Sequence, residues 1–548
     1  MRLKKQGCFW VSLSAFFISS VAHSEGIIDF NIPIGHKIET GTIEGSVTVH
    51  LETSLGPVIK IAQDFYGADT NGFSIFPSAP LVTPLELGYV KMGGSLHATY
   101  NWELNAYHNY EILYVYSPLV SRLQYIQNNY HATPMFEVNM LGWQPVRDPA
   151  GKIIYQESAD AKHAGNAIRY INGTNKIGLK HIMMGNEPFD TEEFHEMHIP
   201  SADEYIDKYI NYAIALRTAQ ESVSGNPNDI KLWGPEINTG WTGWQTNHLP
   251  DCITDYDRVE KVTCSYGNGQ FSEFIPYFLF RLAAFESDPI KNPKKYKMLD
   301  YITFHYYSLF RTNFNDPTSI ILDKNGNQNI SAMLESVNVW DSANYINKYD
   351  SASPKKIAPN IIGKFKNWCK QYYPAAKVAV TEFGIDSVAN ISYHPIVRPL
   401  YLADLVARAG VAGLDTFINS FLQSGDISSS WAMIDKRNKT TLYYVYSLFT
   451  NYFLGDVVTT SDTFGDLVNA YSVKTKDGIN VFMVNKDTKV HNAKLQFKSK
   501  KDIQIISEIQ LPAWSLTVLV VPANSSEKIK IHQYGAKEMG IAVDSSIF

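Results

Sequence analysis

The chain has 548 residues, a formal net charge of −6 and 45% hydrophobic residues, which is a globular composition with length enough for a large core and a second domain. The mild acidity and the lack of any basic run argue against a nucleic-acid partner. Aromatics make up 13%, with 33 Tyr and 10 Trp; such rings fill large cores, but their flat apolar faces and polar edges also match sugar rings, so motifs must decide.

In chain order, the first stretch reads MRLKKQGCFWVSLSAFFISSVAHSEG. Arg2, Lys4 and Lys5 precede a short apolar run, and Ala22-His23-Ser24 supplies small residues at a cleavage site. This pattern predicts a secretory signal peptide over residues 1–24, and hence an extracellular or periplasmic protein with no membrane association after cleavage. The run is too short for a membrane span, and a retained signal anchor is the alternative. Residues 25–60 alternate apolar and polar side chains, as in IEGSVTVHLET, and predict strands.

From residue 61 to 455 short apolar runs alternate with helical stretches. Eight strands are expected in IKIAQDFYGAD, LGYVKMGG, TPMFEVNML, HIMMGNEP, IKLWGPEI, MLDYITFHYY, KVAVTEFG and LDTFINSF, with helices such as ADEYIDKYINYAIALRTAQESV between them. Eightfold strand–helix alternation predicts an α/β fold, a (β/α)8 TIM barrel. Residues 310–360, rich in Asn, Asp and Ser, read as one long loop, and TTLYYVYSLFTNYFLGD as the last barrel helix. Residues 456–523 read as short alternating strands of a C-terminal β-sandwich, which the strands of 25–60 join. Residues 524–548 read as a polar tail. Of four cysteines, Cys8 leaves with the signal, Cys252 and Cys264 are expected to pair as a disulfide in an oxidising compartment, and Cys369 reads as a buried helix residue.

Functional groups of such a barrel sit at the C-terminal ends of its strands. By that rule strand four delivers Glu187 in MGNEP and strand seven delivers Glu382 in VTEFG. A facing pair of carboxylates is what glycoside hydrolysis requires, one as proton donor and one as nucleophile or base. Glu187 is expected as acid/base and Glu382 as nucleophile. Asn186 is placed to hydrogen-bond the sugar 2-hydroxyl, Tyr307 in FHYY to donate to Glu382, and His305 to bond a carboxylate. Asn-Glu-Pro alone is a weak motif; its value comes from the second strand ending in Glu and the His-x-Tyr between them.

These residues resemble glycoside hydrolase family 44. The matching stretches are MGGSLHATYNWELNAYHN near strand two, GNEPFDTEEFHEMHIPSADEYIDKYINYAIALR after strand four, and WGPEINTGWTGW at strand five. The resemblance implies a retaining endo-β-1,4-glucanase or xyloglucanase whose partner is a β-glucan polysaccharide or oligosaccharide, with no cofactor required and structural calcium as a family feature. A monomer is expected. The chain departs from the family where Lys91-Met92-Gly93-Gly94 replaces Arg-Trp-Gly-Gly, where Ser95 replaces Asn, and where Phe189-Asp190 follow Asn-Glu-Pro in place of Trp. A lysine offers a point charge and an arginine a planar fork, so Lys91 bears on how the nucleophile is supported. Trp241, Trp244 and Trp431 are candidate sugar platforms, with core packing as the plainer reading. His195 and His198 in FHEMH are three apart, so they do not form the helical HExxH zinc pattern, and no metal site is assigned. Two other functions remain open: the same machinery acting on xylan or another β-linked polymer, and a carbohydrate-binding protein without turnover.

Overall fold

The computed structural model describes residues 28–32, 43–51, 58–70, 76–94, 97–109, 112–188, 200–237, 252–253, 263–308, 328–345, 360–385, 394–424, 431–500, 502–524 and 526–540. The segment read as a signal peptide lies outside them.

Three short strands come first, β1 (Ile28–Ile32), β2 (Ile43–His50) and β3 (Lys60–Ile61). The barrel strands follow as β4 (Tyr66–Asp69), β5 (Tyr89–Met92), β6 (Thr133–Val138), β7 (His181–Met184), β8 (Lys231–Ile237), β9 (Tyr301–Tyr307), β10 (Lys377–Gly384) and β11 (Thr416–Asn419). They pair in sequence order, all parallel, and β11 closes on β4. The barrel is therefore the expected (β/α)8 architecture. Its strands are apolar on both sides because helices cover the outside while side chains fill the inside.

One interior layer consists of Tyr89, Met135, Met183, Trp233, Tyr301, Ala379 and Ile418. Trp233 and Tyr301 stack at 3.7 Å between ring centroids. Gly67 completes this layer because a Cβ there would lie 2.3 Å from the Ile418 Cδ1. Bulky aromatics on one side thus require an absent side chain on the other. The layer is a plug, and the polar groups described below stand on it. Outside, helices such as α1 (Ala202–Ser224) cover the strands; Ser201 and Glu204 start that helix with a reciprocal capping box.

The remaining strands form two further sheets. They are β12 (Gly455–Val458), β13 (Thr460–Asp462), β14 (Val468–Lys474), β15 (Gly478–Asn485), β16 (His491–Lys498), β17 (Ile503–Leu511), β18 (Ser515–Pro522) and β19 (Ile529–Gly535). One sheet has the order β1-β19-β18-β15-β14-β12-β3 and the other β13-β2-β16-β17. Val47, Val49, Val481, Met483, Leu495, Leu519 and Ile531 bury between them in a separate apolar cluster. The N-terminal strands therefore belong to the sandwich, β1 pairing β19 and β2 running between β13 and β16.

Two expectations need correction. Residues 529–535 are not part of a polar tail but a paired strand, because Ile529 and Ile531 alternate with the exposed Lys530 in KIKIHQY. Within the span read as one loop, Ile330–Glu335 is a helix, and Ser336–Trp340 continues it as a tighter turn. Met333, Val337 and Trp340 are buried there, so three apolar anchors organise a segment of polar composition.

A barrel helix, α2 (Val397–Val411), is tied to the sandwich through Asp404. This buried carboxylate lies 3.1 Å from Arg408 Nε and 2.9 Å from Lys486 Nζ, and accepts from Asn469 Nδ2 at 2.7 Å and from the Tyr471 hydroxyl. Asn469 and Tyr471 lie on β14, and Lys486 directly follows β15. Burial alone would raise the Asp404 pKa, but Arg408 and Lys486 more than reverse this and hold it well below its ordinary 3.8. Asp404→Ala is expected to destabilise the protein by about 3–5 kcal/mol, because it takes the buried Lys486 from its carboxylate and leaves Arg408 only Asp341, at 2.8 Å. A depressed carboxyl pKa stabilises fully above the unfolded value, so this contribution should fade as pH falls below about 4. Urea unfolding of the variant between pH 3 and pH 7 measures both effects.

Candidate active site

Eight parallel strands bring their C-terminal ends to one rim, and the titratable groups of this chain converge there. By strand alternation Asp69, Lys91 and Glu137 follow Gly67, Tyr89 and Met135 into the barrel on β4, β5 and β6. All three are fully buried. His305 and Tyr307 follow Tyr301 and Thr303 inward on β9.

Two carboxylates reach the interior only through irregularity. On β10 the inward phase set by Ala379 would select Thr381, and Glu382 would point to the helices. The register slips there: Phe304 pairs Val380, yet His305 pairs Glu382. A bulge of this kind re-aims a side chain. On β8 Trp233 faces inward, and a Cβ on Gly234 would meet Tyr209 of α1, so Glu236 is again out of phase. Here the register slips between Gly234 and Ile237, and Glu236 adopts φ +55°. Glu187, beyond the end of β7, has φ +35°, and its N–H donates to the Glu236 carbonyl at 3.0 Å. Left-handed conformations at glutamate cost of order 1–3 kcal/mol each, so the surrounding packing must enforce them.

The side chains then meet. One ligand atom from each of Glu187, His305 and Glu382 lies within 4.8 Å of the others. His305 Nδ1 is 2.6 Å from Glu187 Oε1 and 3.5 Å from Glu382 Oε2, and its Nε2 is 3.1 Å from Glu236 Oε2. The Tyr307 hydroxyl donates to Glu382 Oε2 at 3.1 Å. Lys91 Nζ touches three carboxylates, Asp69 Oδ2 at 3.1 Å, Glu236 Oε2 at 3.3 Å and Glu382 Oε1 at 3.3 Å. Asn186 is buried beside Glu187, and its amide oxygen and nitrogen make no hydrogen bond among the described residues.

Electrostatics follow from this packing. Burial disfavours the charge on His305, yet Glu382, Glu187 and Glu236 together push its pKa up to about 10, so it is an imidazolium at neutral pH. Burial likewise opposes the Lys91 ammonium, and Asp69, Glu236, Glu382 and Glu137 outweigh it and hold its pKa well above the usual value. The Glu236 pKa is lowered: burial would raise it, but Lys91 and His305 prevail. Glu137 is the reverse case. Burial raises its pKa well above the usual value despite Lys91 and the Gly94 N–H that donates to Oε2 at 2.6 Å.

Glu187, His305 and Glu382 have the spacing of a metal site, the one such group among the described residues. Their chemistry fits a cation poorly, because both ring nitrogens of His305 face carboxylates and carry protons, which leaves no lone pair for coordination. The calcium implied by the family resemblance has no support in these residues.

Of the residues singled out by sequence, Glu187, Glu382, Asn186, His305, Tyr307 and Lys91 come together. Trp431 does not offer a free face. It is 5% exposed, packs edge-on against Phe383 and Tyr401, and lies under the Arg398 guanidinium. Trp241, Trp244, Phe189, Asp190, His195 and His198 lie outside the described residues. Cys252 and Cys264 stand directly opposite each other in a two-stranded antiparallel ladder, and Cys369 is buried with a free thiol. Sequence reasoning missed Asp69, Glu137 and Glu236. The first two obey the same strand-end rule as Glu187, in FYGAD and FEVN, and could have been read. Glu236 is concealed by its phase.

Residues 138–309 match the family model of Glycoside hydrolase family 44, in agreement with the resemblance drawn from the motifs. A comparison with curated protein sequences gave no match. Among solved structures, the chain is similar to CelM2, a bifunctional glucanase-xylanase from a metagenome library, with 16% identity, a TM-score of 0.60, and coverage of 90% of this chain and 100% of that one. It is similar to a Paenibacillus polymyxa family 44 xyloglucanase solved with xyloglucan, with 13% identity, a TM-score of 0.61 and coverage of 90% and 99%. It is also similar to Cel44A, a family 44 endoglucanase from Clostridium thermocellum, with 14% identity, a TM-score of 0.60 and coverage of 90% and 100%. At these identities the likeness establishes the shared fold. Among the described residues no helix is long and apolar enough to cross a membrane.

Proposed function

We propose that this chain is a glycoside hydrolase of the family 44 type that cleaves β-1,4-linked glucan, cellulose-like or xyloglucan, with retention of configuration. The observation that carries this reading is the pair of glutamates at the barrel rim. One oxygen of Glu187 and one of Glu382 lie within 4.8 Å, a close approach that favours the carboxyl separation of about 5–5.5 Å that retaining enzymes use.

In this mechanism Glu382 attacks the anomeric carbon, the glycosidic C–O bond breaks, and Glu187 gives its proton to the departing oxygen. Water then attacks the same carbon, Glu187 removes its proton, and the ester to Glu382 breaks to restore both carboxyl groups. Lys91 and Tyr307 supply a cation and a hydroxyl to Glu382, and these contacts hold its carboxylate in place for attack. Asn186, with both amide atoms unengaged among the described residues, is suited to the sugar 2-hydroxyl, a contact that strengthens at the transition state.

The test is reducing-sugar release from xyloglucan, carboxymethylcellulose, mixed-linkage glucan and xylan, with the anomeric form of the first product read by NMR. Release of a β-product from a glucan supports the reading. Preference for xylan would move the substrate and keep the mechanism, and binding without release from any of them would favour a carbohydrate-binding protein. The protein is proposed to be secreted, with residues 1–24 removed. The opposition of Cys252 and Cys264 supports a disulfide, since directly paired antiparallel residues have Cα atoms about 4.5–5.5 Å apart, within the range a disulfide spans. Reduction should therefore shift the mass of a peptide joining residues 252 and 264 in a digest.

A further inference from the structure

Glu236 takes no part in the two-glutamate scheme, yet it is the buried group most deliberately brought into the site. Strand β8 breaks register to admit it, and its backbone sits in the left-handed region. Its N–H donates to Thr303 Oγ1 at 2.9 Å, and its carbonyl receives the Glu187 N–H. Its carboxylate then receives the His305 ring at Nε2, while Nδ1 of the same ring faces Glu187 Oε1. Glu236 therefore grips Glu187 twice, through the main chain and through the imidazole.

The ring could serve Glu187 in two opposite ways. An imidazole protonated only at Nε2 presents a bare Nδ1, which would draw the carboxyl proton of Glu187 onto Oε1 and away from a sugar. An imidazole protonated at both nitrogens presents an N–H to Oε1, so the carboxyl proton must sit on Oε2. We infer that Glu236 is a positioning residue for the acid/base: by holding His305 doubly protonated, it fixes Oε1 of Glu187 as an acceptor and directs the transferable proton to Oε2. The inference rests on the assignment of Glu187 as acid/base.

The charges around the ring agree with this reading. Glu187, Glu236 and Glu382 face it directly. Lys91 stands behind Glu236 and Glu382, with Asp69 and Glu137 around it, and Tyr307 caps Glu382. Of these, Glu236 alone contacts Nε2, so its charge bears most directly on the second ring proton. The elevated His305 pKa is consistent with that arrangement.

The experiment compares the unaltered protein with Glu236→Gln and His305→Gln on two substrates. One is an unactivated cello-oligosaccharide, whose leaving alcohol needs a proton. The other is an aryl β-cellobioside with a 2,4-dinitrophenolate leaving group, which departs without one. For both variants kcat/KM on the oligosaccharide should fall about 10²-fold or more, the scale of general-acid assistance, and fall less than about 10-fold on the aryl glycoside. In Glu236→Gln the alkaline limb of the oligosaccharide pH profile should move to lower pH by a unit or more, and Glu236→Asp should recover part of the loss.

Equal losses on both substrates with an unmoved pH profile would overturn the inference and leave Glu236 a structural residue. If Glu236→Gln does not fold, His305→Gln carries the same comparison of leaving groups. Hydrolysis of neither substrate by the unaltered protein would instead overturn the acid/base assignment itself, and with it this inference.

Discussion

Glu382→Gln is expected to reduce turnover by about 10⁴-fold or more while leaving the fold intact. Glutamine has nearly the same shape, and its amide oxygen still accepts from Tyr307, so packing at the end of β10 survives. What it loses is nucleophilicity. Residues that act as one catalytic unit show losses of this order or greater when any member is removed. A matching circular-dichroism melt with no reducing-sugar release is the expected outcome. Release at an undiminished rate would remove Glu382 from the mechanism and leave the barrel rim without a nucleophile.

Lys91→Met should be strongly destabilising and should abolish activity as well. The ammonium lies among Asp69, Glu236 and Glu382, carboxylates from three different strands, with its side chain fully buried. Methionine keeps most of the volume and removes the charge. Three acidic groups would then share a buried space with only His305 to balance them, and breaking a buried ion cluster in this way costs about 3–5 kcal/mol. For a chain of 548 residues that corresponds to a fall of about 3–4 °C in the melting temperature. Activity should vanish with it, because Glu382 loses a cation at 3.3 Å. A melting temperature within about 2 °C of the unaltered protein would show that the carboxylates simply take up protons.

The same geometry bears on the lysine that stands where the family pattern has arginine. Lys91 Nζ donates to Glu236 and Glu382 at 3.3 Å and forms an ion pair with Asp69 at 3.1 Å, a compact cluster that suits the point charge of an ammonium. A planar guanidinium is larger and arranges its donors in a fork. Lys91→Arg is therefore expected to disturb this packing, so the departure from the family pattern reads as an alternative way of neutralising the floor of the site.

The barrel was legible in the sequence because its buried parallel strands are short, largely apolar runs that alternate with helical stretches eight times. Glu187 and Glu382 were legible because they end such runs. Glu236 was not, since an alternating strand assigns it to the outer face and only the slipped register between Gly234 and Ile237 turns it inward. Such a slip depends on the neighbouring strand, which has no expression in the local sequence. Strand β19 was hidden for another reason. Its apolar positions, Ile529 and Ile531, lie among lysines and serines, and their value comes from the sheet they join.

The sandwich is stitched from both ends of the described chain, and this constrains how the molecule is made. Residue 28 pairs with residue 533, and residue 47 lies between residues 462 and 495. A ribosome delivers β1, β2 and β3 long before any of their partners exists. Until synthesis passes β19 these strands are unpaired edges, the kind of surface that recruits other chains. Closure of such distant pairings is slow, so the finished barrel must wait for its sandwich. Production of this protein is therefore expected to be limited by aggregation of nascent chains, and shortening it past residue 528 should worsen the yield even though no catalytic group is removed.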